Sequence, residues 1–265
     1  MHFFTIASGS SGNSICIGNE KTTLLVDAGI SGKRIEEGLN TYDFTTSDMA
    51  GILITHEHAD HIGGLGVISR KHGIPIYATR GTINAIRRSS SVGNINDGLF
   101  YEIEPDKDFS LGDLVVRPIR ISHDAADPVA YRVSDKRNSV AVLTDLGIFD
   151  NYIVENMQHL DAMVIESNHD VKMLEVGSYP YPLKQRILSD VGHLSNELSG
   201  QLLGRLLHDD MKHIFLGHLS RENNYPELAE QTVKLEVSMG DNPYCGTDFP
   251  IEVAPRDTAS RLVEL

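Results

Sequence analysis

The sequence has 265 residues, enough for one large domain or two small ones, and we interpret it as a single domain over residues 1–265. Its hydrophobic content of 40% and charged content of 23% are ordinary for a globular protein. No apolar run approaches the ~18–20 residues with which a helix crosses a bilayer, so we predict no association with a membrane. The formal net charge of −14 disfavours loose binding to phosphate backbones, although bound cations or a local basic rim would offset it at a site.

The N-terminus and the cysteines bear on the compartment. The opening MHFFTIASGSSGNS lacks the basic start and the longer apolar stretch of a signal peptide, so we predict a cytoplasmic protein. Cys16 and Cys245 form no CxxC pair, which argues against a disulfide framework and against a thiolate metal site. We predict that both are buried thiols.

The elements predicted in chain order begin with short strands. Apolar or β-branched runs that end at turn residues predict strands at HFFTIAS, SICIG, TTLLVDAG and GILITH. The apolar spacing then becomes helical in IGGLGVISRKHG and in the segment TINAIRRS. Further strands follow at PIYA, LFYEI, FSLGDLVVRPIRIS with Gly-Asp at a hairpin turn, PVAYRVSD and SVAVLTDLG.

Helices dominate the remainder of the predicted order. LKQRILSDVG, SNELSGQLLGRLLHD and NYPELAEQTVKLEV have helical spacing, and the strand HIFLGH separates the last two. Two halves, each with strands followed by helices, suggest an α/β fold in which two sheets pack face to face with helices outside.

The stretch THEHADHIGG, residues 55–64, carries three histidines and an aspartate at a strand-to-helix junction. His56 and His58 are one residue apart and can face the same side of extended backbone, so they can ligate one ion. Asp60 and His61 follow where the chain bends into the helix, and they suit a second ion. The HxHxDH spacing therefore predicts a metal site.

At these residues the sequence resembles the metallo-β-lactamase superfamily, and the resemblance covers most of the chain. It implies a four-layer αββα sandwich with a dinuclear metal site. It also implies that His123 in RISHDA completes the first metal site, that Asp145 in VLTDLG bridges both ions, and that His218 in FLGHLS completes the second. Asp27 in LLVDAG matches an aspartate that supports the ligand loop through hydrogen bonds without coordinating.

Two further patches resemble the phosphodiesterase branch of the superfamily. Glu166 in ESNHD and His193 in GHLSN occur in the order of the glutamate and histidine of tRNase Z enzymes. That resemblance implies His193 as the general acid and Glu166 as its orienting carboxylate, because a nearby carboxylate raises the pKa of a histidine. The alternative for GHLSN is a helix N-cap at Ser195, and both can hold. We count Asp60 with Glu166 and His193 as catalytic.

The combination of GSSGNS, THEHADH, ESNHD, YPLKQRI, GHLSN and GHLSRENN resembles the WalJ family, also called YycJ or VicX, nearly end to end. The family implies a cytoplasmic 5′ to 3′ DNA exonuclease, and its members often dimerise, although no exposed stripe here demands a homodimer. Two alternatives stay open: a small-molecule or cyclic phosphodiesterase, and a noncatalytic regulatory protein with a metal site. Histidine-rich ligation favours two Zn²⁺ ions, whereas the carboxylates also permit Mn²⁺ or iron.

Several polar groups are candidates for contacts to the substrate. The backbone amides of residues 9–13 either form an anion-accepting loop or an ordinary turn. The candidates for phosphate contacts, each of which can equally be a solvated surface residue, are Arg87, Arg88, Lys184, Arg186, Arg221, Asn223 and Asn224. Asn168, His169 and Asp170 adjoin Glu166, and we assign them no role.

Overall fold

The computed structural model describes residues 1–265. Its strands are β1 His2–Ala7, β2 Ser14–Gly18, β3 Thr23–Val26, β4 Met49–Leu53, β5 Ile76–Thr79, β6 Phe100–Ile103, β7 Phe109–Leu111, β8 Leu114–Arg120, β9 Val129–Ser134, β10 Ser139–Leu143, β11 Ala162–Glu166, β12 His213–Gly217, β13 Ile251–Val253 and β14 Val263–Glu264. Its α-helices are α1 Gly32–Asn40, α2 Ala59–Ile62, α3 Leu65–His72, α4 Arg80–Arg88, α5 Asn151–Asn156, α6 Val171–Val176, α7 Tyr181–Ile187, α8 Asn196–Leu206 and α9 Pro226–Met239. None of these helices combines the length and the apolarity needed to span a membrane.

The chain divides into two compact units. Unit 1 contains Met1–Arg120, Ala125–Asn138 and Pro255–Leu265, and unit 2 contains Ile121–Asp124 and Ser139–Ala254. The interpretation of residues 1–265 as a single domain stays a prediction.

Unit 1 is built on a seven-stranded mixed sheet with the order β14-β1-β2-β3-β4-β5-β6. The pairs β1–β2 and β2–β3 are antiparallel, whereas β3, β4, β5 and β6 run parallel to one another. The parallel strands leave their carboxyl ends at one edge of the sheet, where β3 and β4 lead into Asp27 and into the histidine-rich loop. Strands β7, β8 and β9 form an antiparallel meander in the same unit, and Gly112 at the β7–β8 turn has φ +58°. The hairpin predicted at Gly-Asp is confirmed.

The core of unit 1 lies between the seven-stranded sheet and its helices. Helix α4 contributes its buried Ile83 and Ile86, and α3 contributes Leu65 and Ile68. These residues recur at three-residue spacing, which is the periodicity that indicated helices in the sequence.

Unit 2 contains four parallel strands in the order β10-β11-β12-β13. Every residue of β10, β11 and β12 is buried, as expected for parallel strands covered on both faces. The strands β11, β13 and β14 and the helices α1, α5 and α6 have no counterpart in the predicted order. An apolar run as short as AMVIE has no periodicity that separates a strand from a buried helix segment, so the sequence pattern could not assign it.

One prediction about the cysteines is wrong. Cys16 is buried in β2, but Cys245 is exposed. Cys245 lies in the loop that follows α9, where its backbone N–H donates to Asp248 Oδ2 at 2.7 Å. The thiol of this turn lies at the surface.

Candidate metal centre

In unit 1 the histidine-rich loop leaves the carboxyl end of β4 and enters the short helix α2, with His58 as its N-terminal cap. The imidazole centroids of His56 and His58 are 4.6 Å apart, and those of His56 and His61 are 4.2 Å apart. Asp60 Oδ2 lies 3.6 Å from His61 Nε2. The structure therefore brings together the four metal-ligand candidates of the HxHxDH motif.

Asp27 holds this loop from the end of the neighbouring strand β3. Its fully buried carboxylate accepts hydrogen bonds from Thr55 N at 2.9 Å, Thr55 Oγ1 at 2.8 Å and His61 Nδ1 at 2.7 Å. The last bond fixes the proton of His61 on Nδ1, so the lone pair is on Nε2, where the Asn13 Nδ2 amide donates from 3.2 Å and a metal ion would take its place. Asp27 thus makes the supporting contacts predicted for it.

Thr55 extends this support to a second histidine. Its hydroxyl proton is used in the bond to Asp27, so Thr55 Oγ1 can accept a hydrogen bond from His56 Nδ1, which lies 3.1 Å away. The Nε2 atom of His56 is then the one that carries a lone pair. The sequence reasoning missed Thr55, because a threonine beside a histidine carries no signal of its own.

The segment GSSGNS packs against the same loop. Asn13 N donates to Asp60 O at 2.8 Å, Gly9 N donates to Asn13 Oδ1 at 3.0 Å, and Gly12 N donates to Gly9 O at 3.0 Å. Three of the five amides assigned to an anion-accepting loop are thus already engaged inside the protein. The segment supports the metal loop through the bond from Asn13 N to Asp60 O. The Asn13 side chain closes the turn of the segment by accepting the hydrogen bond from Gly9 N.

Close backbone contacts also require glycine next to the site. A Cβ atom on Gly29 would lie 1.7 Å from Asp60 O, and one on Gly64 would lie 1.9 Å from Ile30 O. Only glycine permits the segment after β3 to approach the ligand loop this closely.

In unit 2 the site residues lie at the carboxyl ends of three adjacent parallel strands. Asp145 follows β10, Glu166 ends β11 and His218 follows β12. Carboxyl ends of neighbouring parallel strands meet at one edge, which is a common place for ligand sites in α/β proteins. His193 reaches the same edge from the loop before α8, and one ligand atom from each of the four residues can lie within 4.8 Å of the others.

Glu166 is the centre of this cluster. Its Oε1 atom accepts from His193 Nδ1 and from His218 Nδ1, each at 2.8 Å. Its Oε2 atom accepts from Leu146 N at 2.8 Å and from Leu194 N at 3.2 Å. The two side chains predicted to pair are therefore in contact, and the same carboxylate also fixes His218.

Burial and charge act in opposite directions on this pair. Burial by itself raises the pKa of Glu166, but the charges and hydrogen bonds of His193 and His218 together outweigh burial and lower the pKa to about 2. Burial by itself lowers the pKa of His193, but the carboxylates of Glu166 and Asp145 together outweigh burial and raise the pKa above its ordinary value. The pair thus favours the charged forms of both partners, which is the arrangement of a proton donor held by a carboxylate.

The segment after His193 serves a second purpose. Ser195 Oγ accepts a hydrogen bond from Leu198 N at 3.2 Å and caps α8. The N-cap interpretation of GHLSN is confirmed and is compatible with the His193–Glu166 contact, while the role of His193 as general acid stays a prediction.

The donor atoms in both units suit divalent metal ions. His123 Nδ1 donates to Gly192 O at 3.1 Å, so its Nε2 carries the lone pair and lies 3.7 Å from Asp145 Oδ1. His218 Nε2 lies 3.5 Å from the same oxygen. These separations are long for hydrogen bonds but close to the ~3.4 Å expected between two ligands bound ~2.1 Å from one tetrahedral ion.

The backbone turns sharply at three of these positions. Asp27, Asp145 and His218 have φ values of 61°, 60° and 56°, in the left-handed region that few residues other than glycine adopt. Each follows the end of a strand. Strained positions of this kind are concentrated at functional sites, and aspartate and histidine tolerate them better than β-branched residues do.

Several of the remaining candidates make contacts within unit 2, whereas Arg221 is exposed there and Arg87 and Arg88 lie on α4 of unit 1. Asn168 Nδ2 donates to His218 O at 2.9 Å, and Asn224 Nδ2 donates to Asn168 O at 3.1 Å, so both order the segment around His218. Lys184 Nζ donates to two backbone carbonyls, and Arg186 forms a bidentate pair with Asp124. Burial lowers the pKa of His169 to about 4, which keeps this histidine neutral.

Comparisons with known proteins agree with this arrangement. A model of the beta-lactamase superfamily domain matches residues 22–212. Exodeoxyribonuclease WalJ of Streptococcus pneumoniae serotype 2 (strain D39) is 42% identical over 260 residues, which covers 98% of this chain and 96% of the relative. Exodeoxyribonuclease YycJ of Bacillus anthracis is 42% identical over 235 residues, 88% of each chain.

Solved structures share the fold at low identity. Zn²⁺-bound PqqB from Methylobacterium extorquens superposes with a TM-score of 0.72 at 13% identity, with 100% of both chains covered. The short form of human tRNase Z superposes with a TM-score of 0.67 at 16% identity over 98% of this chain and 99% of that one. The predicted α/β fold class is confirmed, and this fold together with the His/Asp clusters indicates divalent metal binding. The chain belongs to the metallo-β-lactamase superfamily and, within it, to the family of the WalJ and YycJ proteins.

Proposed function

We propose that this protein is a metal-dependent DNA exonuclease that hydrolyses phosphodiester bonds in the 5′ to 3′ direction. The contact of Glu166 with His193 and His218 is the observation that carries the proposal, because it joins a proton donor to a metal-ligand candidate through one carboxylate. The names of the relatives support DNA as the substrate, since both are exodeoxyribonucleases.

The proposed metal ligands follow the motif matches in the sequence. His56, His58 and His123 would hold one ion, Asp60, His61 and His218 would hold the other, and Asp145 would serve both. Zn²⁺ suits the histidine-rich set best, and Mn²⁺ or iron suits the carboxylates. When bound, such ions supply a hydroxide near neutral pH and neutralise charge on the phosphate oxygens.

The protein's own side chains would handle the departing proton. His193 donates through Nδ1 to Glu166, so its other ring nitrogen, Nε2, is the atom that can donate a proton to the leaving oxygen. The oxygen of the attacking water forms a bond to phosphorus while the bond from phosphorus to the 3′ oxygen breaks. The departing 3′ oxygen takes the proton from His193 Nε2. Glu166 keeps the ring oriented and supports the positive charge that precedes the transfer.

The direct test is cleavage of end-labelled single- and double-stranded DNA by metal-reconstituted protein. The wild type should release nucleotides stepwise from the 5′ end. The Asp60→Ala variant should lose this activity, and His193→Ala should slow it by about 10²–10⁴-fold, the range for loss of a general acid. Ser195→Ala is a matched control in the same loop, because it removes the cap of α8 at a cost of about 1 kcal/mol without removing the proton donor.

The same assay separates the alternatives. Turnover of only a small phosphodiester would assign the protein to the small-molecule phosphodiesterases. Silence on every substrate with metals bound would favour a noncatalytic, partner-binding role. The 2.8 Å contact between Glu166 and His193 favours hydrolysis, because a metal site with a purely structural role does not require an oriented proton donor.

A further inference from the structure

A cavity of about 220 Å³ lies in unit 1 between helix α4 and strand β6. It is lined by Arg80, Ile83, Asn84, Arg87, Phe100 and Glu102. Its volume is below the ~300–1,000 Å³ of sites for drug-sized ligands, so it suits a single small group. Strand β6 is the outermost strand of the seven-stranded sheet, which leaves the cavity accessible from solvent.

The side chains in this cavity combine positive charge with flat surfaces. The Arg87 guanidinium lies over the Phe100 ring at 5.3 Å from its centroid. A guanidinium plane held on a ring in this way is a surface on which a nucleobase can stack. The Asn84 side chain adds an amide that can both donate and accept at a base edge.

The arginines of α4 already have partners, but these partners can be replaced. Arg80 Nε bonds both carboxylate oxygens of Glu102 at 3.0 Å, and Arg87 pairs with Asp97 at 2.9 Å. The four side chains are between 44% and 79% exposed, and ion pairs exposed to solvent contribute little to stability. Helix α4 contains three arginines and no acidic residue, so it is a basic element in a chain of net charge −14.

Two hydrogen bonds within unit 1 connect the start of helix α4, next to the cavity, with the metal loop. Thr79 Oγ1, at the start of α4, donates to Asp127 O at 2.8 Å. The preceding Ala126 N donates to Glu57 Oε1 at 2.9 Å, and Glu57 lies between His56 and His58. Arg80 is therefore near the ligand loop, and Arg87 lies about 10 Å farther along α4 at ~1.5 Å per residue.

We propose that this cavity binds one nucleotide of a single-stranded DNA substrate, with its base against Arg87 and Phe100 and its phosphates near Arg80 and Arg88. The ~10 Å by which Arg87 lies beyond Arg80 along α4 exceeds the ~3.4 Å rise between neighbouring nucleotides of a strand, so the bound nucleotide is not the one next to the cleaved bond. The inference rests on the proposed exonuclease function and adds to it a site that grips the strand away from the cleaved bond.

The test uses the variant Arg87→Ala, with Arg117→Ala as a matched control. Arg117 also belongs to unit 1 and forms a comparably exposed ion pair, with Asp108, but it lies outside the cavity. For a single-stranded oligonucleotide of about twelve residues, Arg87→Ala should raise KM about tenfold with kcat unchanged, because base stacking contributes to strand affinity. A dinucleotide, which is too short to reach the cavity, should be cleaved equally by both variants and the wild type.

Binding gives a second readout that does not depend on cleavage. With chelator present, fluorescence anisotropy should show an about tenfold higher Kd for the oligonucleotide with Arg87→Ala. The slope of log Kd against log salt concentration should change little with Arg87→Ala, which removes a stacking surface, and should fall by about 0.7 with Arg80→Ala, which removes one phosphate contact on a single strand. Arg87→Lys should keep the slope and still weaken binding, because lysine keeps the charge but has no planar surface.

The outcomes separate this inference from the proposed function. If the wild type degrades DNA while Arg87→Ala behaves like Arg117→Ala with both substrates, the nucleotide site is refuted and the exonuclease stands. Equal slowing of the oligonucleotide and the dinucleotide by Arg87→Ala would also refute it, since that pattern reports damage to the fold. A wild type that neither binds nor cleaves single-stranded DNA would overturn both.

Discussion

Unit 1 holds its ligand loop with one buried carboxylate, Asp27, and unit 2 holds its cluster with another, Glu166. Asp27 binds one histidine directly and receives its two other hydrogen bonds from Thr55. Glu166 binds two histidines and receives its other two bonds from backbone amides. The same device therefore supports one imidazole in unit 1 and two in unit 2.

The site in unit 1 has more independent supporting contacts than the site in unit 2. The loop in unit 1 has further supports, since Asn13 N bonds Asp60 O and Gly64 N bonds Ala28 O at 2.7 Å. In unit 2 the proton donor candidate and a ligand candidate depend on the same oxygen atom. A change at Glu166 should therefore disturb function more than an equivalent change at Asp27.

The largest effect is expected for Glu166→Gln. The amide NH₂ of glutamine cannot accept hydrogen bonds, so either the two histidines or the two backbone amides lose their acceptor. We expect kcat on DNA to fall about 10³-fold, within the range for loss of an oriented general acid, and the unfolding free energy to fall by roughly 1–3 kcal/mol. Kinetics and urea unfolding measure the two effects.

Glu222→Gln is the control for that change, because Glu222 is an exposed carboxylate of unit 2. It should leave both quantities within error. A Glu166→Gln variant with wild-type kcat would contradict the role of the shared oxygen.

A smaller effect is expected for Asp27→Asn. The variant lacks the carboxylate oxygen that accepts from His61 Nδ1, so His61 no longer prefers the tautomer with its lone pair on Nε2. Loss of such a supporting contact typically lowers metal affinity by about 10–100-fold. Metal titration of chelator-treated protein checks this value. Asp43→Asn is a matched control, since Asp43 shares the left-handed backbone conformation at φ 61° but is exposed. Equal metal affinity in the two variants would show that Asp27 does not support the site.

The smallest effect concerns the stability of unit 1 away from the site. His2 packs on Phe44 with ring centroids 4.6 Å apart, and burial together with the N-terminal ammonium lowers its pKa to about 4. Because the unfolded chain takes up the proton first, stability is lost as pH falls from ~6.5 towards 4. We expect roughly 1 kcal/mol less stability at pH 5 than at pH 7, discounted for the partial exposure of His2.

Urea unfolding at both pH values measures this loss, and His2→Gln should reduce it. A variant with the same pH dependence as the wild type would assign the loss to other groups. This experiment reports on the packing of unit 1 independently of its metal loop.

The two regions also differ in how well the sequence predicts them. The HxHxDH motif places four candidates within six residues, so local chemistry alone indicated the cluster in unit 1. The residues of unit 2 are dispersed from His123 to His218, and they meet because parallel strands end at one edge. Periodicity cannot supply that pairing, so their assignment depended on the family resemblance.

The hydrogen bonds that support the site residues could not be predicted from the sequence, for a different reason. Thr55, Asn13 and the amides of Leu146 and Leu194 act through hydrogen bonds that any polar residue or peptide group can make. Only their positions in space distinguish them. The same holds for Cys245, whose exposure follows from a loop conformation and not from its residue type.

The most direct measurement titrates a divalent metal into chelator-treated protein while nucleotide release from a labelled single-stranded oligonucleotide is followed. We expect no nucleotide release before metal is added. The rate of nucleotide release should then saturate at about two ions per chain, as in other two-metal hydrolases. Release without metal, or saturation of metal binding without release, would contradict it.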